Sequence, residues 1–268
     1  MKNLGTIGGL AAALAAWLAW KSGVPFLVLL PVVLLAGSAL VVWAVRAAIL
    51  KSLPEQVTIE PLPPSQVSPV AQERIEELQR LGFQRLGEPM RFQLGQAADV
   101  VPLAHPGEST WATVIHIHST PPKTAFDLVT AFQAPRAGLT SSPETGSGVL
   151  PLGSDEFLQV LPGATAAALL EHHRRALALL TGAGLQPVAP SEHAIRGLLK
   201  ESLRRRRQSF LRNEWLHTLI ALHRTVTKST PYARALADQP GIAARIKLLA
   251  SARPRNPKSP RRPMAAKS

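Results

Sequence analysis

No cysteine occurs among the 268 residues, which excludes a disulfide scaffold, a thiolate-ligated metal and a cysteine nucleophile. Aromatics are scarce at 5%, and past residue 160 only Phe210, Trp215 and Tyr232 remain, too few for a platform on which nucleic-acid bases stack. Acids are missing from residues 1 to 50, which hold only Lys2, Lys21 and Arg46 as charges; all 17 acids lie beyond. No Walker loop, Gly-x-Ser-x-Gly elbow, His-Glu-x-x-His pair or dinucleotide fingerprint is present, so no catalytic residue and no cofactor is assigned.

What the first fifty residues do contain is apolar surface. Leu4 to Trp20 carries no charge and as a helix spans about 25 Å, just short of a hydrocarbon core of about 30 Å. Val24 to Leu50 reaches about 40 Å as a helix, and its one charge, Arg46, sits where a long side chain can snorkel to the headgroups. With only Lys21, Ser22 and Gly23 between them, the two runs predict an antiparallel transmembrane hairpin over residues 1–50, with Trp17, Trp20 and Trp43 near the boundaries. A signal peptide is the rival reading of the first run, but a second span follows three residues later without a small-x-small cleavage site. Lys2, Arg46 and Lys51 against Lys21 alone place both termini in the cytoplasm by the positive-inside rule. The expected location is a bacterial inner (cytoplasmic) membrane, with two spans and a cytoplasmic soluble region.

Residues 51–69 hold five prolines and read as a stiff extended linker. A soluble α+β domain is expected over 70–185. Ser68-Pro69 starts a helix that Gly82 ends, with Ala71, Ile75 and Leu78 on its apolar side. The period then changes to two over Arg85–Leu94, Trp111–His118 and Thr124–Phe132, which predicts antiparallel strands, the last two forming a hairpin through Pro121-Pro122-Lys123. A fourth strand falls at Gly138–Ser142, and a helix at Ala164–Thr181 carries His173 in a leucine stripe. The expectation is a membrane-anchored α+β chain whose small antiparallel sheet packs helices on one face.

Three segments carry a resemblance. Glu77–Phe83 ahead of Leu86-Gly87, Thr130-Ala131-Phe132 with Gly138–Ser141, and Leu170-Glu171-His172-His173 resemble the spaced pattern of uncharacterised bacterial membrane-anchored proteins with two N-terminal spans and a small α+β domain. The resemblance covers roughly residues 70 to 180 and implies that architecture, without an activity. The chain departs from the pattern at Pro135-Arg136-Ala137, where an Asp-Gly turn is expected.

The carboxyl-terminal third is basic: Ile195 to Ser268 holds 18 Lys and Arg against Glu201, Glu214 and Asp238. Residues 190–252 read as a helical region, one long or once-broken helix to about Val226, then helices opened by Thr230-Pro231 and over Ile242–Ala252. Residues 253–268, with proline at every third position, read as a disordered basic tail.

Two residue groups stand out. Arg204, Arg205, Arg206, Arg207 and Arg212 form a basic stretch that can meet anionic phospholipid headgroups or an acidic protein partner, whereas nucleic acid is disfavoured by the missing aromatics and the membrane tether. His116 and His118 project to one side of a strand, and Asp127 on the next strand is a candidate third metal ligand; no fourth is identifiable. His173 reads as a hydrogen-bonded core histidine. The function expected is a membrane-tethered, non-catalytic interaction module, with a metal-dependent hydrolase on the His116, His118, Asp127 face as the alternative. The sheet's second face discriminates between them: an enzyme needs a pocket there, whereas a module can cover that face with a helix.

Overall fold

The computed structural model describes residues 16–53, 55, 58–93, 97–133, 138–144, 152, 155–227 and 232–251, apart from the side chains of Phe26, His193, Ala194 and Leu198. Residues 16–22 are helical; most of the first predicted span, like the basic tail, lies outside the described residues. The second predicted span is one helix, α1 (Phe26–Ser52), and within it Leu27–Ser52 is long and apolar enough to cross a membrane. Half-buried positions Val33, Gly37, Val41, Val45 and Ile49 recur every four residues, a packing stripe that widens toward the end of the helix, where Val42, Arg46 and Leu50 are half-buried too. The remaining surface is open, with Leu27 80%, Leu35 71% and Leu40 65% exposed. A helix that is apolar all round and unburied does not belong to a water-soluble core.

Beyond α1 the chain builds an α+β fold on an eight-stranded, mostly antiparallel sheet. The strands are β1 (Thr58–Pro61), β2 (Gln84–Arg85), β3 (Met90–Gln93), β4 (Ala97–Ala104), β5 (Trp111–Ile117), β6 (Lys123–Ala131), β7 (Gly138–Ser142) and β8 (Glu156–Val160). Their order is β1-β3-β4-β5-β6-β7-β8, with β2 also on β4, and only β8 runs parallel to its neighbour. The predicted hairpin is present, pairing Ile117 with Lys123 and Trp111 with Val129. The single strand expected over Arg85–Leu94 is instead two pieces along β4, because Gly87 takes φ +77° between them. Part of the proline-rich stretch is also in the fold: β1 pairs with β3, and Leu53 and Leu62 are buried.

The helices are α2 (Pro69–Arg80), α3 (Ala166–Gly182), α4 (Glu192–Arg212), α5 (Glu214–Thr227) and α6 (Ile242–Ser251). Ser68 and Thr165 cap α2 and α3 by accepting from Ala71 N and Ala168 N, each satisfying an amide that has no intrahelical partner. The region opened by Thr230-Pro231 gives a short 3-10 turn at Leu236–Asp238 rather than a helix.

Helices cover both sheet faces, not one. Val101, Leu103, Ala112, Val114, Phe126 and Leu128 pack on α2 and α3, while the opposite face sets Met90, Phe92, Val100, Trp111 and Ala131 against Ile195 and Leu199 of α4. The cause lies in β5, where the two alternating sets Trp111/Thr113 and Ala112/Val114 are each buried, so neither face can be left to water.

Candidate functional site

Antiparallel register decides where the predicted metal set lies. Directly opposed residues share a face: Thr113 faces Asp127, whereas His116 faces Thr124 and Asp99. Asp127 therefore points to the α4 side and the two histidines to the other, and the three do not converge. The carboxylate beside the histidines is Asp99, which sequence reasoning missed because it sits in the apolar run of β4. His118 Nε2 lies 2.8 Å from its Oδ2, and Arg91 donates Nε to Oδ1 at 2.7 Å. Burial pushes the Asp99 carboxyl up, but the hydrogen bonds from Arg91 and His118 outweigh it and hold the group below its usual range. His116 bonds Thr124 Oγ1 through Nδ1 at 2.7 Å, and its pKa is lowered by burial first and by His118 second. Among the described residues no group of three or more His, Asp or Glu is arranged to hold a metal ion.

His173 is fully buried between α3 and the sheet. Its Nδ1 is 2.7 Å from Ser141 Oγ and its Nε2 3.0 Å from Thr130 Oγ1. Gln159 Nε2 donates to Ser141 Oγ at 2.7 Å, and Gln159 Oε1 accepts from Leu236 N. A neutral ring satisfies this network: the Ser141 hydroxyl donates to Nδ1 and Nε2–H donates to Thr130. Burial lowers the ring's pKa to about 3. With Ser141 and His173 both at 0% exposure, this serine–histidine pair is closed to any substrate; it ties α3 to β6 and β7.

A cavity of about 260 Å³ lies between the sheet and α4. Its walls include Phe92, Trp111, Ile115, Val129, Ile195 and Leu199, and Asp127 is its most deeply placed acid. Asp127 Oδ1 has no hydrogen-bond partner. Burial raises its pKa, opposed by a hydrogen bond from Ser142 and by the Arg206 charge.

The arginine run is divided by the fold. Arg205 reaches Asp155 at 2.6 Å and Glu201 at 2.9 Å, Arg206 faces Glu156 at 3.6 Å, and Arg204 pairs with Glu201 at 2.7 Å. Hydrogen bonds from Arg204 and Arg205 hold the Glu201 carboxyl at about 2. Arg207 Nη1 donates to the Leu53 carbonyl at 2.6 Å, just past the end of α1. The outward face of α4 keeps Arg204, Gln208 and Arg212 exposed at successive turns.

The foot of α1 is joined to this basic helix a second time. Arg46 bonds Glu214 at 2.9 Å, its guanidinium stacks 5.5 Å from the Trp215 ring, and α1 packs on α5. The small side chains Thr218 and Ala221 are the buried positions of α5, a composition that lets helices approach closely. A signal for this contact was present in the sequence: Arg46 is the one charge within the span and Glu214 one of three acids in the basic third. No family model, curated protein or solved structure among those compared matches this chain.

Proposed function

We propose that the chain is a membrane-tethered, non-catalytic interaction module, anchored by α1 within a two-span hairpin, whose basic helix contacts anionic headgroups. One observation carries the reading: Arg207 and Glu214, at the end of α4 and the start of α5, are bonded to Leu53 and Arg46 at the foot of α1. Arg204 and Arg212 are exposed on the same helix as Arg207, which supports a headgroup contact just past the end of the span. Each base near an anionic surface contributes about 1 kcal/mol. Arg205 and Arg206, turned toward Asp155 and Glu156, instead clamp α4 to the sheet. The bacterial inner membrane with a cytoplasmic soluble region is the location proposed, from Lys2, Arg46 and Lys51 against Lys21.

The test uses the chain's freedom from cysteine. Full-length Gln208→Cys, labelled with an environment-sensitive fluorophore, is reconstituted in phosphatidylcholine vesicles with and without phosphatidylglycerol. An emission shift that requires phosphatidylglycerol and disappears in the Arg204→Gln, Arg212→Gln background is expected; identical spectra in both lipids would overturn the headgroup contact. Extraction of the unlabelled protein by alkaline carbonate would overturn the tether. For topology, tail cleavage by protease only in inverted vesicles is expected, and cleavage in spheroplasts reverses it.

The cavity under α4 favours a second reading, a small-ligand site. A dry cavity of about 150 Å³ accommodates benzene, so this one takes about ten non-hydrogen atoms, apolar in the main with one donor for Asp127. A rise in the unfolding midpoint with 2-phenylethanol, lost in Val129→Phe, is its expected signature; no shift in the wild type removes it.

A further inference from the structure

We propose that the exposed apolar stripe of α5 lies against lipid at the boundary between headgroups and acyl chains, giving the protein a second membrane contact beside α1. This rests on the reading of α1 as a span. Trp215, Leu216, Leu219 and Val226 are 55%, 56%, 51% and 50% exposed. At about 100° per residue they fall within a single arc of about 100°, turned away from the buried Thr218 and Ala221. The folded domain therefore buries one side of α5 in small residues and leaves the large apolar ones outward, the reverse of a helix whose apolar face serves a soluble core.

Depth identifies the occupant. Arg46 stands 20 residues past Phe26, hence about 30 Å along α1, the thickness of the hydrocarbon core. With the helix start at one boundary, Arg46 reaches the other, and the indole stacked on it is Trp215. The start of α5 is thereby held at the depth that indole rings prefer. The surface is continuous in character with α1, which exposes Leu40 at 65% and Trp43 at 56%. Charge agrees: Arg212 precedes the stripe, the exposed His223 is the one titratable group within its arc, and no acid follows Glu214 until Asp238, the pattern of an interfacial helix with apolar anchors and a basic flank. The bonds of Arg207 to Leu53 and of Glu214 to Arg46 fix the domain to the foot of α1, and a lipid contact along α5 would fix its orientation to the bilayer as well.

The experiment compares single cysteines in the full-length protein, reconstituted in vesicles of phosphatidylcholine with a third phosphatidylglycerol. Spin labels at Leu219→Cys, Leu40→Cys and Gln208→Cys are read for collision with oxygen, which concentrates in lipid, and with a water-soluble nickel chelate. The oxygen-to-nickel ratio at 219 is expected several-fold above that at 208 and close to that at 40. A lipid signature at 40 with nickel access at 219 overturns this proposal and leaves the span intact. Nickel access at 40 overturns the span and the proposal with it. Low collision with both reagents at 219 means that protein, either a partner or a second copy, covers the stripe, and overturns the lipid assignment. Leu216→Cys repeats the measurement should a label at 219 disturb folding.

Discussion

His173 couples stability to pH in a direction that can be worked out from its burial. The unfolded imidazole titrates near 6.5, whereas the folded one is lowered to about 3 by burial. Below pH 6.5 the unfolded chain takes up a proton that the folded chain refuses, so stability is full above that value and falls as pH drops. The slope is about 1.4 kcal/mol per pH unit for one proton, hence about 2 kcal/mol between pH 6.5 and 5 and about 5 kcal/mol by pH 3. His173→Gln removes the titration but also disturbs the bonds to Ser141 and Thr130, at a cost of about 2–4 kcal/mol near neutrality. Urea unfolding of the full chain in a mild detergent, followed by tryptophan fluorescence with Trp111 as the reporter in the sheet, measures both. The gap between wild type and variant should narrow by about 2 kcal/mol from pH 6.5 to pH 5. A gap that stays constant would refute a buried neutral histidine.

Asp127 gives an opposite pH trend: its folded pKa is raised by burial, so stability is full below the unfolded carboxyl value and is lost as pH rises through the folded one. Asp127→Asn should therefore gain on the wild type at pH 8 relative to pH 4, and a gain that does not change with pH would count against the burial argument. Gly87 holds φ +77°, while the Glu192 side chain that a Cβ there would meet is flexible and exposed and can swing aside; Gly87→Ala should therefore cost about 1 kcal/mol in urea unfolding through the backbone conformation alone, and an unchanged midpoint would show that the turn relaxes. Arg46→Gln and Glu214→Gln remove a pair whose side chains are 26% and 25% exposed, so a double-mutant cycle should return a coupling of about 1 kcal/mol; a zero coupling would mean that α1 and α5 are held by apolar packing alone.

Much of the fold was legible because its signals are local. Ser68-Pro69 and Gly82 bracket α2 by cap chemistry that involves only neighbouring residues, and the alternation of Trp111–Ile117 and Lys123–Ala131 predicts a hairpin that needs no distant partner. At Asn213 the local signal leaves open one long or once-broken helix, because a single asparagine costs a helix only about 0.5 kcal/mol more than its neighbours. β4 carries no local signal because Ala97–Ala104 is buried on both faces and lacks a period of two, and β8 none because it pairs in parallel with a strand that precedes it by a loop.

Local pattern alone located the apolar helix α1, the alternating runs of β5 and β6, the caps of α2 and the gathering of charge in the last third. Tertiary structure decided what those residues meet. Register put Asp127 on the α4 face and gave His118 to Asp99, and packing turned Arg205 and Arg206 to Asp155 and Glu156 while leaving Arg204 and Arg212 outward. The reason is that periodicity specifies a residue's side within its own element, whereas strand pairing and helix docking join segments up to 168 positions apart, as in Arg46 and Glu214. No local pattern encodes which of the available partners closes that distance.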